Sequence, residues 1–231
     1  MPDENTLQSD FDKDYSGKSD LFDIRWKFIV EHLMEYLQRP KVITIVDQKE
    51  FVHLLQHLSE EHKVAVILYL LPCIIAPDTI RKRKSDQATN NSTQKKNRLT
   101  VKECRDSFFL HVEDSATLNS ALDEHKKILH LSGLSFQPTF VLVGPIHAVE
   151  SSYVVVEDTI YEVDTPVDAL KLCFKIFWAL DCQYPQRANS LWRFIQVVGF
   201  QINIKDRCHQ TTLSIIHDIE KKISAASNMI T

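Results

Sequence analysis

The sequence predicts an α+β protein that is mainly helical, with a small β-sheet at about residues 138–163 packed by C-terminal helices. Apolar residues recur with helical spacing through most of the chain, which indicates amphipathic helices. Between residues 138 and 163 the pattern changes to runs rich in Val and Ile, which is typical of strands. A hydrophobic content of 44% is enough for a packed core.

The N-terminal third of the chain has two predicted parts. Residues 1–19 are acidic and polar, so we expect a disordered arm there. Residues 20–80 are the predicted N-terminal helical region. Phe22 and Trp26 begin the apolar face of its first helix, and Ser59 is the predicted N-cap of an apolar, central helix.

A break in composition follows at residues 81–98. This segment has seven basic residues and one acid, so its local charge is +6 and the rest of the chain carries −10. Such a segment cannot bury enough apolar surface to offset its ordering entropy, and we expect a flexible coil linker. Two basic clusters ten residues apart have the pattern of a bipartite nuclear-import signal. The residues of this predicted signal are Arg81, Lys82, Arg83, Lys84, Lys95, Lys96 and Arg98.

Residues 99–231 are the predicted C-terminal α+β domain. Thr100 and Glu103 have capping-box spacing, and a helix is expected from about Ser115 to Leu131. Strands are expected over residues 138–144 and over residues 152–163, with a turn at Glu157-Asp158 in the second range.

Helices then follow the predicted sheet. Thr165 and Pro166 predict an N-cap and a first-turn proline, and Pro185 begins the next helix. We expect these two helices to form an antiparallel pair that buries Trp192 against the sheet. A last helix is expected at about residues 211–225.

The C-terminal part resembles a known group of proteins in a series of short segments: FQPTFVLVGP, SYVVVEDTIYEV, TPVDALKLCFKIFWALDCQYP and LWRFIQVVGFQI. In order, these segments resemble the C-terminal region of uncharacterised proteins that are multiplied in fish and invertebrate genomes, some of which carry sterile alpha motif domains. The features that carry the resemblance are Val143-Gly144, Tyr153 to Val163, Ala169 to Lys175, Tyr184-Pro185 and Trp192 to Gln196. It covers about residues 100–204, implies a shared fold, and implies no catalytic motif or cofactor.

The sequence offers little for catalysis or cofactor binding. Its four glycines are too far apart for a phosphate-binding loop, so Gly-rich nucleotide motifs are excluded. The five scattered cysteines have no CxxC spacing and indicate reduced thiols. Metal binding at His53, His57 and His62 is disfavoured because an exposed polar helix face explains them. No cofactor or metal is therefore expected.

We expect a non-catalytic protein-interaction module in the nucleus, or otherwise in the cytoplasm, with unidentified protein partners and a nuclear import receptor. One alternative is an accessory protein of mobile-element origin that binds nucleic acid without sequence specificity through the basic segment. A second alternative is a cryptic hydrolase that uses a loop with His147, Glu150, Ser151 and Ser152. The first 20 residues contain no apolar run and the longest apolar stretch is too short to cross a bilayer, so neither a secretory signal nor a membrane partner is expected.

A partner would bind at the edge of the predicted sheet. The hairpin over residues 152–163 is rich in Val, Ile and Tyr, and exposed strand edges accept an added strand. The predicted edge residues are Tyr153, Val155 and Ile160. Cover of this edge by the N-terminal helices is the alternative.

Overall fold

A computed structural model describes residues 2–40, 42–43, 46–75, 79–80, 97–203 and 208–227. Four helices come first: α1 (Glu4–Asp14), α2 (Lys18–Leu37), α3 (Val46–Leu54) and α4 (Glu60–Ile74). Two short strands, β1 (Thr79–Ile80) and β2 (Asn97–Arg98), pair antiparallel on either side of the basic segment. Asn97 and Arg98, the last two residues of the predicted linker, are therefore strand residues. Residues 81–96 lie outside the described residues.

The C-terminal part begins with α5 (Val101–Phe108), which passes directly into β3 (Phe109–Val112). Helix α6 (Leu118–Leu131), with a 3-10 turn before it, is followed by β4 (Thr139–Val143), β5 (Ser151–Val156) and β6 (Thr159–Val163). The remaining helices are α7 (Pro166–Ala179), α8 (Asn189–Phe194) and α9 (Gln210–Ser227), and a π-helical turn, Ile195–Gly199, extends α8. The prediction of a mainly helical α+β fold is confirmed.

The four strands β3 to β6 form one sheet in the order β3-β4-β5-β6. Strand β3 runs parallel to β4, and the other two pairs are antiparallel. The strands expected over residues 138–163 are all present, whereas β3 was not predicted. Helix α6 makes the crossover between the parallel strands β3 and β4, as such a pair requires.

Local signals in the sequence set several of these boundaries. Thr100 and Glu103 form the predicted capping box of α5. The Thr165 side chain accepts a hydrogen bond from the backbone N–H of Asp168, and Pro166 opens α7. Gly133 has a φ of +66° just after α6, where a left-handed residue ends a helix.

The disordered arm expected over residues 1–19 is wrong for residues 4–14, which form α1. Leu7 and Phe11 lie four residues apart on one face of this helix, and both are buried. Phe11 contacts Phe174 of α7, with ring centroids 6.0 Å apart. Two apolar residues in such an acidic segment are too few for its composition to indicate a packed helix.

The sheet lies between two layers of helices. One face, which includes Phe140 and Val154, joins a large core with residues of α1, α2, α4, α7 and α9. The other face, which includes Val141 and Val155, packs against Leu122 of α6 in a smaller cluster. The large core takes residues from both sides of the basic segment, and the division of the chain into two domains stays a prediction.

Trp192 is fully buried at the centre of an aromatic group, as the sequence predicted. Its ring lies 4.9 Å from Phe108, 5.9 Å from Phe140 and 5.0 Å from Phe177, measured between centroids. These contacts connect α8 to α5, β4 and α7. Trp192 therefore holds the sheet and the C-terminal helices together.

Candidate functional site

The two outer strands of the sheet differ in how far they are covered. No residue of β3 is exposed, and His111 of this strand packs edge-on against Tyr69 of α4. On β6, by contrast, Ile160 and Glu162 are exposed. No other strand among the described residues pairs with the outer side of β6. The accessible edge of the sheet is therefore β6.

The predicted edge residues are only partly placed correctly. Tyr153 and Val155 lie on β5, which is paired with β4 on one side and with β6 on the other. Their assignment to an edge is wrong, because the sequence of a hairpin does not reveal which of its two strands pairs with the rest of the sheet. Ile160 does lie on the outer strand and is 43% exposed.

The register of the hairpin shows which backbone groups of β6 point outward. Glu157 and Asp158 form a two-residue turn, so the flanking pair Val156 and Thr159 exchanges hydrogen bonds. Hydrogen-bonded and non-hydrogen-bonded pairs then alternate along the ladder. The pairs that contain Ile160 and Glu162 are of the second kind. The N–H and C=O groups of these two residues consequently face away from β5.

The side chains along this edge are mixed in character. Ile160 is directly opposite Val155, and therefore lies on the sheet face that α6 covers. The Lys126 ammonium of α6 reaches the hairpin turn and pairs with Asp158 at 2.9 Å. Glu162 makes no hydrogen bond or ion pair with any other described residue. The edge thus presents one apolar and one acidic side chain beside its outward-facing backbone groups.

A polar cleft of about 300 Å³ adjoins the carboxyl end of β6. The cleft lies between α1, the first turns of α7 and the end of the strand. Its lining residues are Glu4, Gln8, Glu162, Val163, Asp164, Asp168, Lys171, Leu172 and Lys175. Four carboxylates against two ammonium groups leave a formal excess of two negative charges.

The two lysines of the cleft are held by other groups. Lys171 pairs with Asp23 of α2 at 2.7 Å and lies 3.7 Å from Asp168. Lys175 is only 4% exposed, and its ammonium donates a hydrogen bond to Gln8 Oε1 at 3.0 Å. Burial lowers the pKa of Lys175, because the charged form loses hydration. Asp164, at the rim, has no such partner among the described residues.

Most of the predicted nuclear-import signal lies outside the described residues: Arg81, Lys82, Arg83, Lys84, Lys95 and Lys96. Arg98 lies in β2, where its backbone pairs with Thr79. The predicted signal therefore begins directly after β1 and ends with the last residue of β2.

The residues of the hydrolase hypothesis are not assembled in the described structure. His147 and Glu150 are exposed in the loop between β4 and β5. Ser152 is buried within β5, opposite Leu142 and Val163 of the neighbouring strands. No hydrogen bond joins His147 to Ser151 or Ser152 in this part of the chain.

Three further features of the described residues bear on function. Among these residues, no group of three His, Cys, Asp or Glu side chains is arranged to hold a metal ion. Burial raises the pKa of the Cys73 thiol to about 11 and also raises the pKa of Cys173, which keeps both in the thiol form at neutral pH. None of the described helices has the length and apolar character needed to cross a bilayer.

The structure thus defines a mainly helical α+β protein with a mixed four-stranded sheet whose outer strand β6 is accessible. No protein-family model matches the chain, and comparisons with curated proteins and with solved structures also give no match. The resemblance of residues 100–204 to the multiplied animal proteins stays a prediction.

Proposed function

We propose that this protein is a non-catalytic interaction module that binds an extended segment of a partner protein along β6. The observation that supports this function is the outer strand itself, where the backbone groups of Ile160 and Glu162 face outward beside exposed side chains. Added strands obtain affinity from main-chain hydrogen bonds and specificity from alternate side chains. Strand β6 has outward-facing backbone groups for such hydrogen bonds and exposed side chains for such specificity.

The relative cover of the two sheet edges also favours this site. Proteins usually cover an edge, shorten it or place charges on it, because an open edge invites unwanted pairing. Strand β3 is covered. Strand β6 has one charged residue, Glu162, and also carries an exposed isoleucine. An apolar side chain at an accessible edge is a contact that a partner strand can bury.

Selection from a random dodecapeptide library on the full chain tests this function. We expect the recovered peptides to lose at least tenfold in affinity when Ile160 is changed to proline. Proline removes the outward N–H of residue 160 and is tolerated on edge strands where that group does not face the ladder. Affinity is measured by fluorescence anisotropy, and the fold of the variant by circular dichroism and thermal unfolding.

Ile160→Thr is the matched control, because threonine keeps the backbone N–H and suits a strand while it removes most of the apolar contact. We expect this variant to keep a measurable share of the affinity that Ile160→Pro loses. Peptides that bind wild type and Ile160→Pro equally would show that they do not pair with β6. Recovery of no binding peptide would also count against the proposed function.

For the location of the protein, we propose nuclear import through the basic clusters of residues 81–98. The supporting observation is their spacing, two clusters with ten residues between them. Changing Lys95, Lys96 and Arg98 to alanine should abolish nuclear enrichment of a fluorescent fusion. The fusion must be too large for passive entry, since this chain alone has a mass of 26.7 kDa. Unchanged enrichment would contradict import through this segment.

The same segment supports a second candidate function, nonspecific binding of nucleic acid. Its charge of +6 stands against −10 on the rest of the chain, so contacts would concentrate there. Binding of this kind should weaken steeply with salt and should disappear when residues 81–96 are replaced by a neutral Gly/Ser sequence of equal length. Binding that is retained after this replacement would contradict the second function.

A further inference from the structure

The outward-facing backbone groups of β6 are arranged so that this strand can pair with itself. An antiparallel pair forms its hydrogen bonds where residues with facing N–H and C=O groups lie opposite each other. In β6 the residues with outward groups are Ile160 and Glu162, one on each side of Tyr161. A two-fold axis at Tyr161 therefore places Ile160 of each copy opposite Glu162 of the other, and each of these pairs exchanges two hydrogen bonds.

The register centred on Tyr161 is the best of the two-fold registers that align these groups, because it overlaps the whole strand, Thr159–Val163. An axis at Ile160 would bring Glu162 opposite Asp158 of the turn, and an axis at Glu162 would place the two Glu162 carboxylates directly opposite each other. Like charges directly opposite destabilise a strand pair. Within the strand, the register centred on Tyr161 has no such opposition.

The side chains also match in this register. Ile160 and Glu162 lie on the α6 face, so each isoleucine packs against the stem of the opposing glutamate and lies diagonal to the other isoleucine. Ile160 is 43% exposed in a single copy, and this contact would cover it. On the other face the two half-buried Tyr161 side chains meet at the axis, and aromatic pairs across strands are stabilising.

Glu162 obtains a cation in this register. It has no ion pair or hydrogen bond with another described residue of its own chain. Lys126 of α6 lies 2.9 Å from Asp158, two residues before Ile160. When Glu162 is opposite Ile160 of the other copy, Lys126 of that copy is one diagonal position away, within reach of long side chains. Lys126 then offsets both carboxylates.

Pairing of two copies through β6 also closes this sheet. Strand β3, at its other end, is covered in each copy, so two four-stranded sheets join into one sheet with no accessible edge. A two-fold interface uses the same surface on both copies and cannot add a third. The exposed edge that would otherwise invite unwanted pairing is thereby covered.

We propose that the partner of β6 is the β6 strand of a second copy of this chain, paired antiparallel about a two-fold axis at Tyr161. This inference rests on the proposed function, because it names the extended segment that the edge binds. The protein is then a homodimer with a continuous sheet across its axis.

Sedimentation velocity on the full chain tests the dimer. We expect a species of twice 26.7 kDa at about 100 µM, where a dissociation constant of about 10 µM gives mostly dimer. Ile160→Pro should raise this constant about tenfold or more, because it removes the N–H of residue 160 from both copies. Ile160→Thr keeps this N–H and should weaken the dimer less. A selected peptide that depends on the same N–H should dissociate the dimer.

Disulfide cross-linking tests the register. At the axis the two Cα atoms of residue 161 would lie about 4.5 Å apart, which is within the range of a disulfide. Tyr161→Cys should therefore cross-link two copies when oxidised glutathione is added. Thr159→Cys is the matched control, because residue 159 lies opposite Val163 in this register and should not cross-link faster than wild type. Wild type corrects for the native cysteines.

A monomer at this concentration, a dimer that Ile160→Pro does not weaken, or equal cross-linking of the two cysteine variants would overturn the inference. The proposed function stands in each of these cases if the selected peptides lose affinity on Ile160→Pro. If neither a dimer nor such peptides were found, both would be overturned.

Discussion

A Cβ atom on Gly199 would lie 2.7 Å from two carbons of the Phe22 ring. The ring cannot withdraw easily, because it is fully buried and contacts Trp26 and Phe200 at centroid distances of 5.0 and 4.6 Å. Gly199 is the last residue of the π-helical turn, so this contact packs the turn directly against α2.

Gly199→Ala should therefore destabilise the protein by about 1–3 kcal/mol, as overpacking of a core does. The free energy of unfolding from urea titration measures the effect. In a Phe22→Leu background the same change should cost clearly less, because the smaller side chain vacates the site. Equal costs in both backgrounds would mean that the Phe22 contact is not the cause.

Trp192→Ala should lower the free energy of unfolding by about 3–5 kcal/mol, through lost transfer energy and the cavity left among Phe108, Phe140 and Phe177. Trp192→Phe should cost less than half as much. Phenylalanine keeps part of the ring contact and removes the indole N–H, which is buried without a hydrogen-bond partner. Urea unfolding compares the two, and similar losses would contradict this account of the site.

The hairpin turn contains a residue in a costly conformation. Glu157 has a φ of +54°, a region that disfavours side chains other than glycine, asparagine and aspartate. Glu157→Gly should raise the free energy of unfolding by about 0.5–1 kcal/mol, with part of the relief offset by the greater freedom of glycine in the unfolded chain. Asp158→Gly is the control and should destabilise, because it removes the pair with Lys126. A loss of stability in both variants would contradict strain at Glu157.

Lys175 gives stability a dependence on pH. Its pKa in the folded protein is lowered by burial from the usual value near 10.5. Between these two values the unfolded chain binds more protons than the folded chain, so this group makes stability rise with pH across that window. Below the window its buried charge is a constant cost.

Lys175→Met should therefore stabilise the protein at pH 7, and the gain should shrink as the pH approaches 10.5. Urea unfolding at several pH values measures the difference between the variant and wild type. Lys27→Met is the matched control, because Lys27 is exposed on α2 and its replacement should give no such trend. A gain that does not change with pH would contradict the role of the buried charge.

Strongly local signals made most of the fold predictable. Thr100 and Thr165 cap helices and Gly133 ends one, and each does so through residues close to it in the sequence. The apolar runs over residues 138–163 are separated by clear turns. Strand β3 was missed because Phe109 follows Phe108 with no turn residue between helix and strand. Only its pairing with β4 gives this segment an extended conformation.

The candidate site depended on relationships that a single sequence does not express. Leu7 and Phe11 were too few to outweigh an acidic composition, so the helix that borders the cleft was missed. Tyr153 and Ile160 lie in the two strands of one hairpin, and these strands have similar amino-acid compositions. Only the pairing of β5 with β4 makes β5 an interior strand and leaves β6 as the outer one. Lys175 lies in the predicted helix that begins at Pro166, and only the packing of α1 against α7 buries it.

Val155 and Ile160 face each other across the β5–β6 ladder, and lysine at these two positions should have opposite effects. Val155 is 1% exposed on an interior strand, so Val155→Lys buries an unpaired charge and should unfold the protein or cost about 3 kcal/mol or more. Ile160 is 43% exposed, and the ammonium of Ile160→Lys can reach water. Its cost in stability should stay below about 1 kcal/mol.

Peptide binding should be weakened in Ile160→Lys even though its fold is kept. Ile160→Lys removes the apolar contact of the edge and places a charge beside the added strand, so it should weaken peptide binding at unchanged thermal stability. Thermal unfolding and anisotropy on the same samples separate the two quantities. If Ile160→Lys unfolded the protein as Val155→Lys does, β6 would be covered in solution, and strand addition at this edge would have to be abandoned.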